Sequence, residues 1–356
     1  MYQGQYGLCG VELSFFTRKL EAQLRAQSIP WYWHFKTQER SAGIEARAGT
    51  HFIPVLLTPE NWALHDTIAI GPLLHQRFPE QPVIPDTPVQ RSLCFILEDF
   101  FNHWLGRICV HTRWCYPENV AWVGPRFGVN TMLNRSIDEP ISEAELAQLS
   151  AFGDMMSESF GIPVCQNNGV GPEQEQTVRG DFRTLLTLWG NIFAERPFLL
   201  GSRPCLADFA LAGAAKAHFI TDPTPVSWLG QHEKMMRDYT DRVFGANSAE
   251  GSFASDNELP DTLLALLDYA EKAYVPYARG SITAGLSGEK HFTFKYGQSQ
   301  VKARSQRRLE KARLHVRDEL MRSEPQAITE AIAERPLMRF YLEQSLVGQE
   351  PWLGPH

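Results

Sequence analysis

The chain has 356 residues, 43% of them hydrophobic, which is room for roughly two domains of about 150 residues and enough apolar content to exclude disorder as the overall state. With 34 Lys and Arg against 41 Asp and Glu the net charge is −7, which excludes a general polyanion binder and makes nucleic acid an unsuitable main partner. Six cysteines without a CxxC pair are too sparse for a disulfide scaffold or a zinc centre, and no apolar run nears the ~20 residues of a bilayer crossing, so a cytoplasmic protein with free thiols, no metal and no membrane contact is expected.

Residues 5–9 read as a short strand. Leu13, Phe16, Leu20 and Leu24 then recur at three- and four-residue steps, giving a helix that Ser28-Ile29-Pro30 ends. Residues 31–35 alternate bulky side chains as a second strand would, and a polar stretch leads into His51-Phe52-Ile53-Pro54-Val55-Leu56-Leu57, completing a β-α-β unit. Asp66-Thr67 opens a helical segment carrying Ile68, Ile70, Leu73 and Leu74, and a Pro-rich linker spans residues 81–88. Beyond it strand signals nearly vanish. Helices are expected over residues 89–114, 142–160, 177–194, 205–219 and 230–244, so the second region reads as all-α. Residues 245–257 are loop-like, Pro260-Asp261 starts a helix through Tyr274, and two more helices are expected over 298–321 and 327–346. On the first of these, Lys302, Arg304, Arg307, Arg308, Lys311, Arg313 and Arg317 accompany a stripe of Leu309, Ala312, Val316 and Leu320, which reads as an amphipathic helix with a basic solvated face.

Three motifs stand in order: Ser14-Phe15-Phe16-Thr17-Arg18-Lys19-Leu20-Glu21, Phe52-Ile53-Pro54-Val55-Leu56 and Asp66-Thr67-Ile68-Ala69-Ile70. A fourth is Leu199-Leu200-Gly201-Ser202-Arg203-Pro204-Cys205-Leu206-Ala207-Asp208. Together, over roughly residues 5–245, they resemble the cytosolic glutathione transferase superfamily, in particular its larger bacterial-type members with a C-terminal extension. The resemblance implies an α/β thioredoxin-like glutathione-binding domain over residues 1–85 and an all-α domain over 89–245. Residues 246–356 would form a mostly helical extension packed on the all-α domain, and the protein would be a homodimer.

The resemblance also assigns roles. Ser14 would be the catalytic residue, at a helix start whose unpaired N–H groups and dipole favour a thiolate; it would otherwise be an ordinary N-cap. Tyr6, Cys9 and Thr17 are alternatives for the sulfur contact, and Phe15 stands where related enzymes have proline. Pro54 resembles the family's cis-proline, which leaves Ile53 to align the cysteinyl part of glutathione through its backbone. Asp66 and Thr67 would hold the γ-glutamyl end, and Lys36, Arg40 or Arg47 could meet the glycyl carboxylate. Phe15, Trp104 and His111 are candidates for the pocket of a hydrophobic electrophile. In the fourth motif Cys205 replaces the usual capping hydroxyl three residues before Asp208, which weakens a reciprocal cap. The activity implied is conjugation of glutathione, as co-substrate, to an apolar electrophile, or displacement by it. The alternatives are a non-enzymatic protein of the same fold that binds ligands or proteins, and a glutathione-dependent thiol-disulfide reductase, which would want cysteine in place of Ser14.

Overall fold

The computed structural model describes residues 4–322, 332 and 335–344. Strand β1 (Tyr6–Gly10) is buried along its whole length because it is an inner strand of a four-stranded sheet, order β2-β1-β3-β4. It pairs parallel with β2 (Trp31–Phe35) and antiparallel with β3 (Val55–Leu57), which pairs antiparallel with β4 (Ala63–His65). Helix α1 (Phe15–Ala26) makes the crossover between β1 and β2, α2 (Gln38–Ala48) joins β2 to the second half, and α3 (Thr67–Arg77) follows β4. The two-residue period of the strand divides the packing. Tyr6 and Leu8 meet Leu20 and Leu24 of α1 and Ile70 and Leu74 of α3, while Cys9 faces Ile44 and Ala48 of α2. This is the expected thioredoxin-like βαβ…ββα unit.

The continuation to residue 244 is all-α. Helix α4 (Pro88–Phe100), a π turn (Phe101–Leu105) and α5 (Gly106–Trp114) form one continuous rod. Helix α6 (Pro117–Thr131) was not expected, and it runs through Pro117, Gly124, Pro125 and Gly128. Two of those glycines serve packing: a Cβ on Gly124 would lie 2.1 Å from Cα of Gly153 on α7 (Glu143–Met156), so the helices touch backbone to backbone. Helices α8 (Ile162–Asn167), α9 (Glu175–Glu195), α10 (Leu206–Ala214), α11 (Pro223–Leu229) and α12 (Glu233–Phe244) complete the domain. Of these, α8 and α11 were also not foreseen. Helix α10 seats α1, since a Cβ on Gly213 would come within 2.6 Å of the Lys19 backbone nitrogen. At the start of α10, Asp208 accepts N–H bonds from Cys205 at 2.9 Å and Leu199 at 3.0 Å and the Tyr239 hydroxyl at 2.9 Å, and the Cys205 thiol lies 3.2 Å from its carboxylate as donor.

The remaining chain departs from expectation in two places. Helix α13 (Asp261–Leu286) runs past Tyr274, and residues expected to begin a helix at 298 instead form a hairpin of β5 (His291–Tyr296) and β6 (Ser299–Arg304). Phe292, Phe294 and Tyr296 alternate inward on β5, and Gly297, at φ +60°, opens the two-residue turn that the register leaves between Tyr296 and Ser299. The hairpin is fastened by Arg107 of α5, whose buried guanidinium lies 4.3 Å from the ring centre of Trp104, 4.5 Å from Tyr277, 4.6 Å from Tyr296 and 5.1 Å from Phe294. Helix α14 (Arg308–Arg322) follows and packs on α4. The expected helix over 327–346 lies partly outside the described residues; within them α15 spans Pro336–Leu342.

The basic face expected on α14 needs correcting in three places. Lys302 and Arg304 belong to β6. Arg313 is fully buried, donating to Glu310 at 2.7 Å and to the carbonyls of Phe340 at 2.9 Å and Glu343 at 2.8 Å. Lys311 reaches across to the first domain, as described next.

Candidate functional site

The sheet register assembles one end of the first domain. Cys9 pairs with Val55 and Val55 with His65, while Gly10 pairs with Phe35. Continuing that register sets Pro54 before β3 and Asp66 after β4 level with Gly10 and Phe35, with Val11 and Lys36 one position beyond, in one row of strand ends. Two helices start from that row. Ser14 caps α1 with extended backbone, φ −97° and ψ 125°, and its half-buried hydroxyl accepts the Thr17 N–H at 3.4 Å. Asp66 caps α3 at φ +74°, and one carboxylate oxygen accepts the Ile68 N–H at 3.1 Å.

The loop that presents Ser14 is pinned from the all-α side. Buried Arg113 of α5 donates to the Leu13 carbonyl and is held by Asp222 through bonds of 2.8 and 3.0 Å. Glu12 accepts from Ser136, Ile137 and Asn130 at 2.8 to 2.9 Å. The other sulfur-contact candidates are turned inward. The buried Tyr6 ring meets Phe78 edge-on, and Thr17 Oγ1 packs under Gly10, where a Cβ would come within 2.5 Å of it. Burial pushes the Cys9 thiol up to about 11, so it stays protonated at neutral pH.

The Ile53–Pro54 peptide is cis, and Ile53 stands beyond the last paired residue of β3 with its side chain half-buried. Thr67 is buried, and its hydroxyl accepts from the Lys19 ammonium at 3.3 Å. Lys19 is itself 2% exposed and also donates to Glu98 at 2.6 Å and Asn102 at 3.0 Å, both on the α4 rod. The second carboxylate oxygen of Asp66 pairs with Lys311 Nζ at 3.1 Å. Lys36 pairs with Glu45 at 2.7 Å, and Arg47 donates to Asn61. The Arg40 side chain lies outside the described residues.

Phe15 is buried and stacked on Phe16 at 4.5 Å. Trp104 and His111 are not gathered with it. Trp104 lies under the Arg107 guanidinium, and fully buried His111 is satisfied at both ring nitrogens, 2.9 Å from the Val170 carbonyl and 3.1 Å from the Tyr116 hydroxyl. The structure gives both a core role rather than a place beside Ser14.

Sequence reasoning missed Lys19, Glu98 and Lys311. A lysine one turn after Phe15 on the buried face of α1 was the available signal for Lys19; Glu98 and Lys311 had none without the tertiary fold. Next to this cluster a void of about 10 Å³ is lined by Ile68, Glu98, Asp99, Asn102, Ala312 and His315 among others. The Asp99 carboxylate accepts from the hydroxyls of Tyr274 at 2.8 Å and Tyr341 at 2.6 Å, and burial pushes it up to about 6. Burial likewise lowers neighbouring His103 to about 3. Among the described residues no group of His, Cys, Asp and Glu is placed to hold a metal ion, and no helix is long and apolar enough to cross a membrane.

No family model matches the chain, and no curated protein matches it by sequence. Solved structures similar to it include a glutathione S-transferase from Rhodospirillum rubrum F11, at 15% identity over 68% of this chain and 90% of that one, with a TM-score of 0.44. Another is beta-etherase LigF from Sphingobium sp. strain SYK-6, at 15% identity over 68% and 96% with a TM-score of 0.45. A glutathione S-transferase of Ceriporiopsis subvermispora, solved in complex with glutathione, is similar at 16% identity over 68% and 100% with a TM-score of 0.41.

Proposed function

We propose that the chain is a glutathione transferase-like enzyme that binds glutathione at this end of the sheet and conjugates its thiolate to an apolar electrophile, or uses it to displace a group. The observation that supports the reading is the sheet order, in which β1, β3 and β4 are neighbours: the loop to Ser14 leaves β1, cis-Pro54 enters β3 and Asp66-Thr67 follow β4, all at one end of the sheet. Lowering a thiol from about 8.5 by two units requires about 2.7 kcal/mol. A helix N-terminus supplies about 0.3–1 kcal/mol, and a hydroxyl donating to the charged sulfur supplies about 1.5–3 kcal/mol. Ser14 offers both without a base or a metal. In this reading Ile53 aligns the tripeptide by strand-like pairing, Thr67 receives the γ-glutamyl carboxylate and Asp66 its ammonium. Catalysis is then thiolate generation plus proximity. A homodimer, a cytoplasmic setting and the three-part division at about residues 85 and 245 belong to the same proposal.

The test is calorimetric binding of glutathione followed by a conjugation assay of Ser14→Ala. Binding with a conjugation rate lowered about tenfold or more is expected. No heat of binding and no glutathione-induced rise in Tm sinks the proposal, and retained conjugation in Ser14→Ala removes Ser14 from its role. A second reading, a protein of this fold that does not turn over glutathione, is favoured by one observation: Asp66 is already engaged by Lys311 and Thr67 by Lys19.

A further inference from the structure

We propose that α14 is an internal competitor for the ammonium end of the ligand, with Lys311 occupying the Asp66 carboxylate that a γ-glutamyl ammonium would use. This rests on the reading above that Asp66 receives that end. One Asp66 oxygen is committed to the Ile68 N–H and the other to Lys311 Nζ at 3.1 Å. A ligand ammonium would therefore place a second cation on one carboxylate, or displace the first.

Lys311 is held there by a fixed helix. Ala312, His315 and Val316 of α14 line the small void together with Ile68 from the first turn of α3. Arg91 on α4 pairs with Glu319 of α14 at 2.6 Å, and buried Arg313 ties α14 to the carbonyls of Phe340 and Glu343. The pair itself is partly open to solvent, with Lys311 38% and Asp66 29% exposed, so water and salt keep it weak enough for a ligand to exchange. The consequence is selectivity by charge: the site discriminates against a free ammonium at this end and accepts the same tripeptide with that nitrogen capped.

Calorimetry with glutathione and with N-acetylglutathione, on the full-length protein and its Lys311→Met variant, tests this. In the native protein the acetylated ligand binds at least as tightly as glutathione. Lys311→Met tightens glutathione about two- to fivefold and leaves N-acetylglutathione unchanged. Native protein that prefers glutathione by tenfold or more overturns the proposal without reference to any variant. An equal change for both ligands, or none for glutathione, in a variant with native circular dichroism also overturns it. If neither ligand binds either protein, the glutathione reading of the site fails and this inference falls with it.

Discussion

Replacing Lys19 by methionine removes the cation at the junction of α1, α3 and the α4 rod. Lys19 and Glu98 are each 2% exposed, and the ammonium spends its three donors on Glu98 at 2.6 Å, Asn102 at 3.0 Å and Thr67 at 3.3 Å. With Lys19 gone, Glu98 is a buried carboxylate without its counter-charge, and breaking such a pair from one side costs about 3–5 kcal/mol. Removing both charges, in Lys19→Met with Glu98→Leu, restores packing without an orphaned ion and recovers all but about 1 kcal/mol. Guanidinium unfolding followed by circular dichroism measures the four corners of the cycle. Nine tryptophans allow fluorescence to check that both probes report one transition. A single-variant loss under about 1 kcal/mol, or a double variant as unstable as the single, refutes the reasoning.

Four further outcomes follow from the same geometry. Asp99 is raised in the folded state to about 6 from an ordinary value near 3.9, so its stabilising contribution is full below about pH 4 and lost as pH rises through 6. Asp99→Asn therefore gains about 2 kcal/mol relative to the native protein between pH 4.5 and 7.5; an equal Tm difference at both pH values would falsify this. Half-buried Cys115 is drawn below the usual thiol range, first by its hydrogen bond with Cys165, whereas burial raises Cys9. Peptide mapping after brief iodoacetamide treatment at pH 7 should find Cys115 labelled well before Cys9, and the reverse order would contradict the assignment. Arg107→Ala leaves the Asn168 carbonyl without its 3.0 Å donor and empties the aromatic cage, costing about 3 kcal/mol or more; limited proteolysis should then cut the β5–β6 hairpin first. Gly213→Ala forces α1 from α10 at the Lys19 backbone and costs about 1–3 kcal/mol of unfolding free energy.

What the sequence made legible is the part of the molecule written in local chemistry. Ser14 before an amphipathic stretch, a proline inside Phe52-Ile53-Pro54-Val55, and Asp66-Thr67 ahead of an apolar run each carry a backbone instruction of their own, and each cap and the cis peptide is present. The hairpin was illegible for the opposite reason. His291–Tyr296 alternates for only six residues, and its inward rings are satisfied by Arg107, a partner nearly two hundred positions earlier. Helix α6 was hidden because glycines that permit a backbone-to-backbone contact look, in one dimension, like glycines that break a helix. Lys311 was read as a solvated charge because nothing in its neighbourhood along the chain points to Asp66, 245 residues away.

The π turn at Phe101–Leu105 has a consequence for how the rod from Pro88 to Trp114 divides its neighbours. One residue more than an α-helical turn advances everything downstream by about 100° around the axis. Before the turn, Phe95 and Glu98 look toward α14 and the first domain, with Phe95 edge-on to His315. After it, Arg107 looks toward the hairpin and His111 toward Tyr116 and Trp228. A single inserted position thus lets one unbroken helix present two differently aimed faces, and deleting one residue there would swing the Arg107 cage out of line with the Lys19 junction while leaving every other side chain in the rod unchanged.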